Sequence, residues 1–294
     1  MIPPNMGQMA IEIGRREFIS ALGGSTLAWP LAAGAQQPAL PVVGLIDAGS
    51  PDANASRAAA FRKGLNEAGY VESQNVTVEY HWLEGQYNRL PSLMAELIRR
   101  PVAVIAVPGS SPGALAAKAA TATIPIVFGV GDDPVKLGLV TSLARPGANV
   151  TGINFFVQEV VAKRLGLLHD LVPKAVRVAV LVNPANVTVA ETTLRQTPEA
   201  ARAMGLQIQV LNASTGSEIE AAFATLVREQ AEALFVASDS FLNMRRGQLA
   251  TLAARNGIPA CYSAREVVEI GGFMSYAADA RELFRQAGST LVKS

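Results

Sequence analysis

Short apolar runs alternate with helical patterns along most of the chain from residue 41 onward. In the first half, runs at 42–46, 76–80, 102–107 and 124–128 predict strands, and the segments between them repeat apolar residues with the period of a helix. This alternation is typical of βαβ units, in which a helix connects two parallel strands. Because two of these runs are apolar at successive positions, we expect both faces of the sheet to be buried. The pattern therefore predicts an α/β fold with an open parallel sheet.

The second half of the chain repeats this order of elements. Its predicted strands are 178–182, 206–211, 233–237 and 258–262. Landmarks in this half lie 130 to 136 residues after their counterparts in the first half. A unit that recurs at a nearly constant offset predicts two similar Rossmann-like lobes rather than one long sheet. We place lobe one at 41–149, with 277–294 returning to it, and lobe two at 150–276.

Two such lobes predict a ligand cleft between them. Open parallel sheets bind ligands beyond the carboxyl ends of their strands, where helix N-termini present unpaired N–H groups. The loops after the predicted strands are small, polar or rich in glycine. The residues that we expect to bind the ligand are Asp47, Gly109, Ser110, Ser111, Gly131, Asp132, Asn183, Ser238, Asp239 and Tyr262. Phe128, Phe155 and Tyr262 lie beside strand ends, and we expect them to supply an apolar wall.

The best single candidate in this set is the segment 109–112, which ends a strand and begins a helix. Its glycine lets the backbone approach a ligand, and the helix dipole behind its two serines favours an anion. We expect Ser111 to cap the helix, and Ser110, Ser111 and nearby amides to hold a ligand carboxylate. In lobe two, Asp239 either caps the helix that follows the strand at 233–237 or pairs with a ligand ammonium group. Asp132 either faces the ligand or lies in a solvated turn.

Composition leaves little room for catalysis or for a metal site. The sequence holds one cysteine and two histidines, which excludes an internal disulfide and leaves few residues for a metal site or a catalytic triad. Cys261 lies in an apolar run typical of a core strand, His169 lies near a helix end, and His81 follows a strand and could reach the cleft. The motifs of serine hydrolases, zinc proteases and phosphate-binding loops are missing from the sequence. We therefore predict no catalytic residues, no metal and no cofactor. With 25 basic and 24 acidic residues, the chain also has no charge excess typical of a nucleic-acid partner.

The first 35 residues have the features of an export signal. Arg15-Arg16 precedes an uncharged, mostly apolar segment that closes with Ala33-Gly34-Ala35, a small-x-small cleavage site. We expect a soluble periplasmic chain that begins at Gln36. The arginine pair is similar to a twin-arginine signal, although Gly14 and Ser20 depart from that motif, so a general secretory signal stays open. A membrane anchor is the lesser alternative, because glycines and a proline interrupt a run shorter than the ~20 residues that span a bilayer.

Several motifs resemble the ABC transporter substrate-binding proteins of the tryptophan-binding-like type. They are residues 61–72 (FRKGLNEAGYVE), 123–128 (TIPIVF), 133–140 (DPVKLGLV), 142–152 (SLARPGANVTG) and 271–276 (GGFMSY). The resemblance covers residues 41–288, and the block 133–152 is its most specific part. It implies a type I periplasmic-binding fold, closure of two lobes on a small solute, and delivery to an ABC permease and its ATPase. Some members of this family bind aromatic amino acids.

The resemblance also implies how the lobes connect and what the chain does. It implies that 149–152 is the first crossover and that the chain returns to lobe one after residue 276. Family members continue for several dozen residues past the helix at 281–292, so we expect the sheet edge of lobe one to be incomplete here. The favoured interpretation is the solute-binding component of an importer for an amino acid or an aromatic acid. Two alternatives stay open: an exported α/β enzyme that uses Cys261, His81 or an aspartate pair, and a ligand-sensing domain of a membrane receptor.

Overall fold

The computed structural model describes residues 40–155 and 160–291. The predicted export signal at 1–35 and the last residues of the predicted return, 292–294, lie outside these ranges. Within them the chain forms two α/β lobes, each built on a five-stranded sheet whose strands all pair in parallel. The fold class predicted from the alternation of strands and helices is therefore confirmed.

The first sheet has the strand order β2-β1-β3-β4-β5. Its strands are β1 (Val42–Asp47), β2 (Thr77–Trp82), β3 (Val102–Pro108), β4 (Ile126–Val130) and β5 (Val150–Asn154). The central strands β1, β3 and β4 are buried along most of their length, as their successive apolar residues require when helices cover both faces. β4 begins at Ile126 rather than at residue 124, because Pro125 has no N–H to donate to the ladder.

Strand β5 moves the predicted boundary between the lobes. Residues 150–154 pair in register with β4, so they belong to the first sheet. Residues 150–152 of the expected crossover therefore lie within the first sheet, and the predicted start of lobe two at residue 150 is corrected. Gly152 suits this strand, since a Cβ there would lie 2.3 Å from the backbone oxygen of Phe128.

Helices cover both faces of the first sheet. They are α1 (Ala55–Glu67), α2 (Leu90–Arg99), α3 (Ser111–Ala120) and α10 (Ala280–Thr290), with a 3₁₀ turn at Tyr87–Arg89. α10 follows the second lobe in the chain but packs against α1, β4 and β5 of the first. Two glycines allow this close packing: a Cβ on Gly64 would lie 1.9 Å from the Arg285 oxygen, and one on Gly288 would lie 2.3 Å from the Phe61 oxygen.

The second sheet has the order β10-β9-β8-β6-β7, which repeats the central arrangement of the first. Its strands are β6 (Arg177–Val182), β7 (Gln207–Asn212), β8 (Ala233–Val236), β9 (Ala260–Tyr262) and β10 (Met274–Ser275). Its helices are α4 (Val161–Leu171), α5 (Val187–Ala203), α6 (Gly216–Arg228), α7 (Ser240–Met244), α8 (Arg246–Arg255) and α9 (Arg265–Glu269). Across residues 40–155 and 160–291, none of the helices is long and apolar enough to cross a membrane.

Candidate functional site

The cleft between the lobes lies at the carboxyl ends of the strands of both sheets. It encloses a cavity of about 80 Å³ with walls from both lobes. The polar residues of its lining are Arg57, Ser111, Asp132, Asn186, Ser238, Ser240, Asn243 and Ser263. Apolar lining residues are Phe155, Val189, Leu283 and Phe284. This is the position at which open α/β sheets bind ligands.

The N-terminus of α3 is capped by a different serine from the one predicted. Ser110, not Ser111, is the N-cap, and its Oγ accepts a hydrogen bond from the N–H of Gly113 at 3.1 Å. Pro112 has no N–H, so the first turn of α3 keeps few free donors for an anion. Ser111 instead points its hydroxyl to the neighbouring strand end and donates to Asp132 Oδ2 at 2.6 Å. The donors expected to hold a ligand carboxylate are therefore largely used within the protein.

Asp132 is the acidic residue of the cavity wall. It follows β4, its side chain is buried, and its Oδ1 has no hydrogen-bond partner among the described residues. Burial raises the pKa of its carboxyl above the ordinary value, while the hydrogen bond from Ser111, the Thr192 hydroxyl and the charge of Arg195 oppose the rise. The protein therefore acts on this carboxyl through Ser111, Thr192 and Arg195, but Oδ1 itself makes no hydrogen bond that meets normal geometry. A buried polar atom without such a bond is costly, and a ligand donor would remove that cost. Of the two predicted alternatives for Asp132, the structure therefore has the one at the cleft and not the solvated turn.

Arg57 is the one basic residue among the described residues that line the cavity. It lies in the first turn of α1, which begins beyond the end of β1. No ion pair joins it to an acidic residue in the part of the chain that the structure describes. Its charge lowers the pKa of the Asp47 carboxyl, although burial of Asp47 has the larger and opposite effect. Among the described residues, the wall of the cavity therefore holds one cation and one anion that do not form an ion pair with each other.

Asp239 is buried behind the lining of the second lobe. Its Oδ1 accepts hydrogen bonds from the N–H of Leu242 and from Asn183 Nδ2, each at 3.1 Å, so it caps α7 as one of the two predictions had it. Its Oδ2 accepts a hydrogen bond from Asn186 Nδ2 at 2.9 Å and one from the Tyr87 hydroxyl of the first lobe at 3.3 Å. Neither Asp239 nor Asn183 lines the cavity.

Asp47 and Tyr262 also lie away from the cavity. Asp47 Oδ1 accepts hydrogen bonds at 2.7 Å from the N–H of Gly49 and from Asn54 Nδ2, which fixes the loop after β1. Tyr262 is 1% exposed and belongs to the core of the second lobe, where burial raises the pKa of its hydroxyl. Phe128 is likewise a core residue. Of the three aromatic residues predicted for the apolar wall, Phe155 alone lines the cavity.

The cavity thus gathers half of the predicted set. Gly109, Ser111, Gly131, Asp132 and Ser238 line it, whereas Asp47, Ser110, Asn183, Asp239 and Tyr262 are buried elsewhere in the two lobes. Three further lining residues, Arg57, Asn243 and Phe284, were not predicted, because they lie in helices rather than in strand-end loops. For Arg57 a signal was available, because the first turn of a helix that follows a strand lies at the same edge of the sheet.

The residues of the enzyme alternative do not meet in the cavity. His81 lies in the edge strand β2 next to Glu79, away from the cleft, and burial lowers the pKa of its imidazole. Cys261 is completely buried in β9, which confirms its predicted place in the core. Among the described residues, no group of three or more His, Cys, Asp or Glu side chains is arranged to hold a metal ion.

Comparison with known proteins identifies relatives of the whole two-lobed region. The family model for "ABC transporter substrate binding protein" matches residues 42–294. A curated "Tyrosine-binding protein" from Clostridioides difficile is 27% identical over 234 residues, which are 79% of this chain and 66% of that protein. The chain thus spans slightly less than two thirds of that relative.

Solved structures share the fold. A conserved domain protein from Vibrio cholerae superposes with a TM-score of 0.77 at 23% identity, covering 86% of this chain and 84% of the other. An ABC domain from Streptococcus pneumoniae in complex with L-Trp gives a TM-score of 0.76 at 21% identity with the same coverage. A ligand-free, open substrate-binding protein with adhesive properties from Clostridium difficile gives only 0.57 at 25% identity, again with 86% and 84% covered.

Proposed function

The chain belongs to the ABC transporter substrate-binding proteins, and from this premise we propose that it is the exported solute-binding component of an importer for an α-amino acid. In this proposal the two lobes close on the solute, and the closed protein delivers it to an ABC permease whose ATPase drives transport. The chain acts as a binding protein and not as an enzyme. The residues that line the cleft support the proposed solute, and the predicted export signal supports the proposed location.

The observation that carries the proposal is the pair of opposite charges in the cavity wall. Arg57 and the unpaired oxygen of Asp132 lie in a lining whose other described residues are neutral polar or apolar. A zwitterion matches one cation and one anion, because its carboxylate pairs with the guanidinium and its ammonium group with the carboxylate. An α-amino acid is the smallest common solute with both charges.

The same geometry disfavours a simple aromatic acid. Its carboxylate would lack the donors expected at the N-terminus of α3, because Ser110 and Ser111 use theirs on Gly113 and Asp132. Arg57 would pair with that carboxylate, but Asp132 Oδ1 would stay without a partner. The ammonium group of an amino acid supplies that partner. The names of the tyrosine-binding relative and of the L-Trp complex agree with an amino-acid solute.

Calorimetry of the purified chain from Gln36 tests the solute class. We expect at least one of the twenty L-amino acids to bind, with L-tyrosine and L-tryptophan as the first probes. The N-acetyl derivative and the amide of the same amino acid each lack one charge, and both should bind at least tenfold more weakly. Equal binding of the free amino acid and of either derivative would overturn the assignment of a zwitterion.

Cell fractionation tests export and its route. A chain with Arg15→Lys and Arg16→Lys should stay in the cytoplasm if the twin-arginine route is used, while the unaltered chain is exported. Export of both would assign the general secretory route, and export of neither would contradict the proposed location. Uptake of the bound amino acid in cells with and without this protein then tests the importer itself.

A further inference from the structure

The carboxylate of Asp239 receives hydrogen bonds from neutral groups alone. Three of its donors belong to the second lobe: the N–H of Leu242, Asn183 Nδ2 and Asn186 Nδ2. The residue is 1% exposed, and no basic side chain pairs with it among the described residues. A buried carboxylate without a cation depends on the number of its hydrogen bonds.

The fourth donor to Asp239 comes from the other lobe. The hydroxyl of Tyr87 lies 3.3 Å from Asp239 Oδ2 and also accepts a hydrogen bond from Asn186 Nδ2 at 3.3 Å. Burial and the nearby charge of Asp239 both raise the pKa of Tyr87, so its hydroxyl keeps the proton that it donates. This contact crosses the cleft, and Tyr87 is not a residue of the cavity lining.

Tyr87 is held firmly in the first lobe. The segment before it is bound to the loop after β1 by three backbone hydrogen bonds, which run from Leu83 to Asp47, from Glu84 to Gly49 and from Gly85 to Ala48 at 2.8 to 3.0 Å. Leu83 is buried in the core of that lobe. The position of the Tyr87 hydroxyl relative to Asp239 is therefore fixed by the position of one lobe relative to the other.

A second contact between the lobes adjoins the first. Gly85 has a φ of +77° and faces α7, so that a Cβ built on it would lie 3.1 Å from Phe241 Cβ and 3.5 Å from Met244 Cε. A side chain of any size at this position would meet α7 before the lobes reach the arrangement seen here. The segment 85–87 thus touches the second lobe with its backbone and with the Tyr87 hydroxyl.

We propose that Tyr87 is a latch that stabilises the closed arrangement of the lobes through its hydrogen bond to Asp239. When the lobes separate, water replaces each partner of this hydrogen bond. When the lobes close without the Tyr87 hydroxyl, Asp239 Oδ2 is buried with one hydrogen bond fewer. The free-energy cost of this loss applies to the closed state alone. Tyr87 therefore acts on the solute by setting how much of the protein is closed and how long it stays closed. This role rests on the proposed function only in that closure traps a solute.

The test compares Tyr87→Phe with a matched tyrosine. Tyr80 also donates its hydroxyl to a carboxylate at 3.3 Å, but its partner Glu72 lies in the same lobe, so Tyr80→Phe removes a similar hydrogen bond without affecting closure. Fluorophores on Lys136→Cys and Arg228→Cys report the distance between lobes, since these side chains are 85% and 69% exposed. The native Cys261 is buried and stays unlabelled. Closed and open populations are counted by single-molecule energy transfer, without ligand and with each of the twenty L-amino acids.

We expect Tyr87→Phe to lower the ratio of closed to open molecules about tenfold under every condition, while Tyr80→Phe leaves it unchanged. Any bound amino acid should leave Tyr87→Phe faster with little change in its association rate. Gly85→Ala should lower the ratio too, whereas Gly69→Ala, at a φ of +86° with nothing within 4 Å, imposes similar backbone strain without the contact.

An unchanged ratio in Tyr87→Phe, or no closed population in the unaltered protein under any condition, would overturn the latch. The same measurements distinguish failure of the latch from failure of the proposed function. If no amino acid changes the distance in the unaltered protein and Tyr87→Phe still lowers the ligand-free ratio, the solute assignment fails and the latch stands. If amino acids close both proteins equally, the latch fails and the solute assignment stands.

Discussion

The two lobes place different residues at the same point of their folds. In each lobe the third strand along the chain ends at a helix N-terminus that faces the cleft: Ser110 caps α3 in the first lobe, and Asp239 caps α7 in the second. The first lobe carries its acidic residue one strand further on, at Asp132, where one oxygen stays unpaired at the cavity wall. The carboxylate of Asp239 is instead fully hydrogen-bonded and lies behind the wall. In the proposed function the first lobe thus offers its charge to a solute, whereas the second uses its charge for internal order and for contact with the first lobe.

The largest expected effect is the difference in stability between variants that lack the Asp239 cap of α7 and the Ser110 cap of α3. Asp239→Ala removes the cap of α7 and leaves the buried amide groups of Asn183 and Asn186 without an acceptor, so we expect the free energy of unfolding to fall by about 3 kcal/mol. Ser110→Ala removes one cap hydrogen bond and should cost about 1 kcal/mol. Urea unfolding followed by circular dichroism measures both. Losses of equal size would show that Asp239 serves only as a cap.

The next largest effect should be on binding. Asp132→Asn removes the partner of the solute's ammonium group, and we expect amino-acid affinity to fall about 100-fold in calorimetry. Its stability should not fall, because burial raises the pKa of this carboxyl and thus disfavours its charged form. The control is Asp133→Asn, since this exposed neighbour does not line the cavity; its carboxylate accepts hydrogen bonds from the N–H groups of Val135 and Lys136 and pairs with the Lys136 ammonium group. A similar loss of affinity in both variants would contradict the role of Asp132.

Acidification should then change binding and stability in opposite directions. The pKa of Asp132 lies above 3.8 in the folded protein, so acidification through that raised pKa neutralises the carboxyl and weakens binding of the ammonium group. The folded chain binds this proton more tightly than the unfolded chain, so the contribution of Asp132 to stability rises as pH falls through the raised pKa toward 3.8. The difference between wild type and Asp132→Asn isolates this residue in melting curves and in binding titrations. Affinity that is independent of pH in the wild type would contradict the prediction.

The fold was largely predictable because its signals are local. Successive apolar residues in β1, β3, β6 and β8 show strands buried on both faces, and the repeated order of elements predicts two similar lobes. Strand β5 was missed because Thr151, Gly152 and Asn154 interrupt its apolar pattern. An edge strand with one partner does not need apolar residues at every position.

The site was predictable only in its location. The rule that ligands bind at strand ends led to Ser111, Asp132 and Ser238 in the lining, but it also selected residues whose polar atoms serve the protein itself. A sequence does not show whether a hydroxyl at a helix N-terminus points to a ligand, to a backbone N–H or to a neighbouring carboxylate. Ser110 and Asp239 satisfy backbone groups, and only the packed structure distinguishes them from the residues beside them.

The smallest expected effect decides between the two serines of α3. Ser111→Ala removes the donor to Asp132 Oδ2, so it should raise the pKa of that carboxyl further and weaken amino-acid binding about fivefold, the equivalent of about 1 kcal/mol. Ser110→Ala loses a cap hydrogen bond away from the lining and should lower stability without changing affinity. Calorimetry and melting curves of both variants give the comparison. Equal losses of affinity would mean that both serines bind the solute. The N-terminus of α3 would then hold the solute's carboxylate, as the sequence predicted.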